Sequence, residues 1–319
     1  LTGLPDQLAQ VYGAQDPQRA STERTLTPER IDELRQFSSR LLDYFIRTQA
    51  GARGRGYRWR GRTEGHTLTS GLDDYPRARP PSAGELHVDL FAWVTYMLVV
   101  DTELSAHASD DAHAANQTLV RERQLEEHLQ LLDQLHWNAE QNMYCDVTTR
   151  VRDDYDELED DERDAEETVF VCHRGYVSLL PMALGLVPPD SDKLGHILDM
   201  IEDPDELWTA YGLRSLSKRD PYYGKDENYW RGPIWMNINY LVLASLHKNY
   251  MSAAGPFREQ AHRLYRDLRT NLIANVLEQY QKTGFFWENY SPEDGHGQGT
   301  HPFTGWTALV VLIMAEQYQ

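Results

Sequence analysis

Two short segments place carboxylates among glycines and aromatic rings, a setting suited to moving protons on a sugar. The first is Thr69-Ser70-Gly71-Leu72-Asp73-Asp74-Tyr75-Pro76-Arg77 and the second is Gly284-Phe285-Phe286-Trp287-Glu288-Asn289-Tyr290-Ser291-Pro292. Both fall between helical patterns, in loops of the kind that line clefts. Each alone has a plain structural explanation: Ser-Gly and Tyr-Pro are turn formers, Asp73 or Asp74 can cap the chain, and the second set of rings can be core. As a pair they carry more, because glycoside hydrolysis needs two carboxyl groups in unlike environments, one protonated and one ionised at the working pH.

A third segment, Asn228 to Tyr240, packs two Trp (Trp230, Trp235), two Tyr, Arg231 and three Asn into thirteen positions. Flat rings suit the apolar faces of pyranoses while Arg and amide groups suit their hydroxyls, although buried Trp in an inner helix produces a similar string. Glu85 and Asp89 share one helix face at i and i+4, with His87 between them. Two like charges there need an outside reason. The alternatives are a helix-start role with a solvated Asp89, or a pair facing sugar hydroxyls.

The elements that must hold these residues are helical. Thr27-Pro28-Glu29 reads as N-cap, first-turn Pro and first-turn acid, and Ile31, Leu34, Leu41 and Phe45 recur at helical spacing through about Arg47. A second amphipathic helix starts near Asn116 with Leu125, Leu129 and Leu132 on one side, and a third follows Pro256 and stops at Gly284. Leu86–Val100, Ile234–Leu246 and Phe303–Met314 are instead apolar around nearly the whole circumference, so they must be buried. Alternating one-sided and all-round apolar helices predict an all-α fold, an (α/α)6 toroid with outer helices facing water and inner helices enclosed. About eight or nine helices are legible where a closed ring of six hairpins needs twelve, so the ring is expected to be short of its full set in this chain. Buried strands of a parallel sheet are the competing reading of any one apolar stretch, and length favours helix.

Composition limits the rest. The 319 residues, 40% hydrophobic and 11% aromatic, suffice for one large core, and residues 1–319 are read as one domain. A formal charge of −19 argues against nucleic acid as a partner. No apolar run reaches the length of a membrane span, and Leu1-Thr2-Gly3-Leu4-Pro5 is neither an initiator Met nor a signal peptide, so a piece of a longer protein is expected. Cys145 and Cys172 could pair or could be two small core residues. With no other Cys and no metal-ligand spacing, neither zinc nor any other cofactor is expected. The acidic run over about 152–167 reads as a solvated, mobile loop rather than a cation site. Asn116-Gln117-Thr118 is an N-glycosylation acceptor sequence.

The strings Ser70 to Arg77, Glu85-x-His87-Val88-Asp89-Leu90, Gly212 to Leu216, Tyr229-Trp230-Arg231-Gly232, Gly284 to Tyr290 and Phe303-Thr304-Gly305-Trp306-Thr307 occur in an order that resembles the processing α-glucosidases of glycoside hydrolase family 63. The resemblance runs from about residue 57 to the C-terminus. It implies an α/α toroid catalytic domain preceded, upstream of this chain, by a β-sandwich domain and a membrane anchor, in the endoplasmic reticulum lumen. The reaction it implies is removal of the outermost α-1,2-linked glucose from triglucosylated high-mannose N-glycans on glycoproteins, with inversion. It selects Asp73 as general acid and Glu288 as general base. Asp74, Tyr75, Arg77, Glu85, His87, Asp89, Trp230, Arg231, Trp235, Trp287 and Trp306 become the expected substrate-site residues. Leu86 and Phe91 depart from the family motif, where Arg is common, so contacts made by those arginines are in question. Another α-glucoside as substrate, a non-catalytic glycan-binding module and an all-helical scaffold are the alternatives.

Overall fold

The computed structural model describes residues 27–106, 112–150 and 167–318. Eight α-helices occur among them: α1 (Pro28–Thr48), α2 (Val88–Ala106), α3 (Ala112–His136), α4 (Tyr176–Ala183), α5 (Asp192–Glu202), α6 (Met236–Ser245), α7 (Arg258–Thr283) and α8 (Val310–Met314). Helix α2 packs against α1 and α3 on one side and α4 on the other, α4 packs against α6, and α5 packs against α7. An inner row of α2, α4 and α6 is thus backed by outer helices, which is the arc of an (α/α) toroid.

Side-chain chemistry accounts for the ends. Thr27 Oγ1 accepts from the Arg30 N–H at 3.3 Å to start α1, and the Gly284 N–H donates to the Tyr280 carbonyl at 2.7 Å to end α7. Helix α2 buries Val88, Leu90, Phe91, Ala92, Val94 and Leu98, and α6 buries Met236, Ile238, Val242 and Leu243. Taking an aliphatic or aromatic side chain of this size out of water contributes about 2–3 kcal/mol.

The apolar stretches become helical two residues later than periodicity suggests at Leu86 and Ile234, and the first runs on to Ala106. Leu86 and Ile234 lie outside α2 and α6 because their N–H groups donate across the chain, to the carbonyls of Val147 at 2.9 Å and Tyr290 at 2.7 Å. The expected helix over Phe303–Met314 is reduced to a 3-10 turn (Trp306–Leu309) leading into α8. Trp306 Nε1 donates to the Glu288 carbonyl and Thr307 Oγ1 to the Trp287 carbonyl, which ties this segment to the loop it crosses.

Three two-stranded antiparallel sheets occur among the described residues: β1 (Trp137–Asn138) with β2 (Met143–Tyr144), β3 (Asp146–Arg150) with β4 (Glu167–Val171), and β5 (Asn289–Tyr290) with β6 (Gly297–Gln298). Asp146 faces Val171 in the β3–β4 register, and the next pair outward, Cys145 and Cys172, is joined by a disulfide. The acidic run lies outside the described residues apart from Glu167, as does the side chain of Asn116 in the first turns of α3. Among the described residues no helix is long and apolar enough to cross a membrane.

The disulfide closes a loop whose ends are 27 residues apart. Replacing both cysteines by serine is expected to lower unfolding free energy by about 3.5 kcal/mol through the freed loop entropy, read from chemical denaturation with midpoint and slope both fitted, since a less constrained unfolded chain also steepens the slope.

Candidate active site

The loops that precede the inner helices lie together, and they carry the first segment, the 228–235 segment and, through the Ile234–Tyr290 bridge, the Glu288 loop. Asp73 follows a 3-10 turn (Leu68–Ser70) that ends on Gly71 at φ +72°, a conformation that strains any residue with a Cβ. Ser70 Oγ donates to the Thr67 carbonyl and accepts from the Leu72 N–H, and the Thr67 N–H donates to the Asp73 carbonyl at 2.8 Å. The Ser-Gly pair is therefore ordinary turn chemistry, and the turn presents Asp73. Its carboxyl is half-buried, and burial first, then the neighbouring Asp74 charge, push its pKa above the usual carboxylate value.

Asp74 points the other way. Its carboxylate is 1% exposed and accepts from the N–H groups of Trp230 at 2.6 Å and Tyr229 at 3.0 Å. Arg231 Nε donates to the Asp74 carbonyl at 2.7 Å, and its guanidinium also pairs with Asp226. This ties the first segment to the 228–235 segment.

Tyr229 then reaches the C-terminal candidate. Its hydroxyl donates to Glu288 Oε1 at 2.5 Å, and the Thr300 N–H donates to Glu288 Oε2 at 3.0 Å. Tyr229 thus makes contact with both carboxylate loops, by its backbone N–H to Asp74 and by its side chain to Glu288. Burial, the Glu288 hydrogen bond and the negative charges of Glu288, Asp73 and Asp74 all raise its pKa, so the phenol keeps its proton.

The other expected site residues divide into two groups. Trp287 and Trp306 are half-buried beside Glu288, Trp287 facing the His301 ring at 3.9 Å between centroids. The remaining residues are buried beneath this surface. Trp230 and Trp235 stack at 3.9 Å with an interplanar angle of 12°, and Tyr75 donates its hydroxyl proton to the His173 carbonyl at 3.0 Å. Arg77 holds Asp89 through two nitrogens, at 3.1 and 2.5 Å, and donates to Asp146 Oδ2 at 2.8 Å. Burial alone would make Arg77 lose its proton more easily, but Asp146 and Asp89 outweigh it and raise its pKa. Glu85 accepts from Arg62 Nε at 3.2 Å, lies 3.0 Å from His87 Nε2 and takes the Ser82 N–H at 2.8 Å. Burial opposes its ionisation, yet His87, the Ser82 N–H and Arg62 together lower its pKa. His87 Nδ1 accepts from the Trp59 N–H at 2.9 Å.

Leu86 and Phe91 are both buried core side chains. Tyr229, Asp146 and Arg62 were not singled out from the sequence. Tyr229 stands inside the aromatic string without marking its partner, and Asp146 is 69 residues from Arg77, a separation at which local pattern is silent. Among the described residues no group of His, Cys, Asp and Glu is arranged to hold a metal ion.

The profile of the Glycosyl hydrolase family 63 C-terminal domain matches residues 14–316. A probable mannosyl-oligosaccharide glucosidase of Schizosaccharomyces pombe is 49% identical over 263 residues, which is 82% of this chain and 30% of that protein. The mannosyl-oligosaccharide glucosidases of Saccharomyces cerevisiae and Arabidopsis thaliana are 46% and 38% identical over 81% and 86% of this chain, and 30% and 35% of their own lengths. The chain spans about a third of the curated relatives it matches. Among solved structures, a family 63 mannosylglycerate hydrolase of Thermus thermophilus in complex with glucose is 20% identical, with TM-score 0.50 over 72% of this chain and 45% of that one. The neutral trehalase of Saccharomyces cerevisiae is 12% identical, with TM-score 0.50 over 79% of this chain and 40% of that one. At those identities the likeness is one of fold, the α/α toroid.

Arg77→Met would leave Asp89 and Asp146 buried without their cation. An unfolding free energy lower by about 3–5 kcal/mol is expected at neutral pH, measured by chemical denaturation.

Proposed function

This chain belongs to glycosyl hydrolase family 63, and from that premise we propose that it is the catalytic domain of an inverting exo-α-glucosidase. Its substrate is the triglucosylated high-mannose N-glycan of glycoproteins, from which it removes the terminal α-1,2-linked glucose in the endoplasmic reticulum lumen. The observation that carries this reading is that Tyr229 links the loops of two half-buried carboxyl groups: its hydroxyl donates to Glu288, its N–H donates to Asp74, the residue after Asp73, and the Asp73 charge acts on its phenol. The substrate and compartment rest on the mannosyl-oligosaccharide glucosidases that resemble the chain over four-fifths of its length or more.

In the proposed mechanism Asp73, whose pKa burial and the Asp74 charge raise, acts in its protonated form and gives its proton to the glycosidic oxygen as the bond to the anomeric carbon breaks. Glu288 takes a proton from a water that attacks the same carbon from the opposite face. Inversion requires about 6.5–9.5 Å between the two carboxyl groups, enough for that water. Trp287 and Trp306, the half-buried rings beside Glu288, supply stacking surface for the sugar. The buried residues Asp74, Tyr75, Arg77, Glu85, His87, Asp89, Trp230, Arg231 and Trp235 hold the walls in place, and any of them that meets sugar does so by an edge.

Asp73→Asn and Glu288→Gln should each lower kcat by about 10²–10⁴-fold on a triglucosylated oligosaccharide while substrate binding survives. Proton NMR of the first product should show β-glucose. Measurable turnover by Asp73→Asn near the native rate, or α-glucose released first, rejects the assignment.

Protonated Asp73 is the active form, so activity should fall as pH rises through its raised pKa. Asp74 is one of the causes of that elevation. Asp74→Asn removes a negative charge beside Asp73 and should therefore move the alkaline limb of the kcat/KM profile to lower pH.

A further inference from the structure

We propose that Tyr229, opposed across the carboxylate by the Gly299–Thr300 turn, is a positioning residue that clamps and aims Glu288. The inference rests on the reading of Glu288 as the base. A glutamate side chain has several rotatable bonds, and a base must present one oxygen lone pair to a water along a single line. Here both oxygens are already engaged from opposite sides. The Tyr229 hydroxyl donates to Oε1 at 2.5 Å and the Thr300 N–H to Oε2 at 3.0 Å, which together fix the plane of the carboxylate. Each oxygen keeps a further lone pair for solvent or substrate.

The backbone beneath is equally fixed, since the Glu288 N–H donates to the Thr300 carbonyl at 3.0 Å and Trp306 Nε1 donates to the Glu288 carbonyl at 2.6 Å. Gly299 sits at φ +73°, and a Cβ there would lie 2.5 Å from Glu288 Oε2. The turn therefore approaches the carboxylate more closely than any residue with a side chain could.

Tyr229 is suited to the opposing side because it is itself immobile. Its ring meets Trp235 edge-on at 4.6 Å, its carbonyl accepts from Trp235 Nε1 at 3.0 Å, and its N–H is held by Asp74. The phenol oxygen is thereby set by the same contacts that set the acid loop, and one residue carries the spacing from the acid side to the base. With its pKa raised, the phenol has one proton and directs it at Glu288.

The test uses the intact natural polypeptide with a triglucosylated oligosaccharide and compares Tyr229→Phe, Gly299→Ala and Glu288→Gln. Tyr229→Phe keeps the ring against Trp235 and should lower kcat by about 10- to 100-fold, the equivalent of one hydrogen bond to a charged group, while KM changes by less than about twofold. Gly299→Ala, which pushes on the other oxygen with Tyr229 intact, should also lower kcat more than it changes KM, and it decides the matter should Tyr229→Phe fail to fold. An undiminished kcat in folded Tyr229→Phe, a loss confined to KM, or an undiminished kcat in Gly299→Ala overturns the clamp while leaving an inactive Glu288→Gln to support the base. An active Glu288→Gln overturns the base assignment itself.

Discussion

The site depends on a carboxylate that takes no part in the proposed chemistry. Asp74 accepts two backbone N–H groups from residues 155 and 156 positions further along the chain, and its own carbonyl takes the Arg231 guanidinium. Hydrogen bonds to a charged group contribute about 1.5–3 kcal/mol each, and removal of the acceptor would leave two buried N–H groups unsatisfied. The same bonds fix a geometry. Asp73 is the residue before this carboxylate and Tyr229 the residue bonded to it, so a shift of either loop moves Asp73 relative to Glu288, the proposed acid and base. Misplacement of about 1 Å is enough to cost two orders of magnitude in rate when reacting groups must be held in line.

The buried charges around Arg77 follow the same logic. A buried ion pair is roughly neutral for stability against well-packed apolar residues, so its value lies elsewhere. Asp146 Oδ1 accepts from the Val88 N–H at 2.8 Å and so caps α2, while its other oxygen holds Arg77 of the acid loop. Asp89, one residue into the helix, holds the other side of the same guanidinium. One cation thus joins the acid loop, the N-terminus of α2 and the disulfide-closed β3–β4 hairpin. Leucines in these places could fill the volume, but they would not specify the rotation of α2 about its axis. The neighbouring Glu85–His87–Arg62 group ties the 57–62 segment to the same corner.

Much of this was legible in the sequence, and the limits have physical causes. The outer helices α1 and α7 announce themselves because caps and amphipathic periodicity are local signals, as at Thr27 and Gly284. Of the inner helices, α2 and α6 were legible as apolar runs, their starts displaced by two residues because Leu86 and Ile234 use their backbone in long-range bridges, whereas the eight-residue α4 was not read from the sequence. Phe303–Met314 misled for a related reason, since the side chains of Trp306 and Thr307 bond to the Glu288 loop and leave only a short helix. The β3–β4 hairpin gave little signal, its strands being five residues each on either side of a strongly acidic stretch. Asp73 and Glu288 stood out through the residues beside them. The Tyr229–Glu288 bond joins residues 59 apart, and nothing local in either string points to the other.

One electrostatic consequence ties the scaffold to the acid. An aspartate keeps its proton to high pH only where cations do not compensate its charge, yet Arg77 lies four residues from Asp73 and Arg231 bonds the adjoining carbonyl. Each is already matched: Arg77 by Asp89 and Asp146, Arg231 by Asp74 and Asp226. His66 favours the charged form of Asp73, but it is itself bonded to Glu227 at 3.0 Å, whose charge acts in the opposite sense. The N-terminus of α2, a site of positive potential, is occupied by Asp146 and has Asp89 in its first turn. Every positive group named here is paired with carboxylates, so burial and the Asp74 charge prevail at Asp73. The ion pairs that orient the loops thus leave burial and the Asp74 charge to raise the pKa of Asp73.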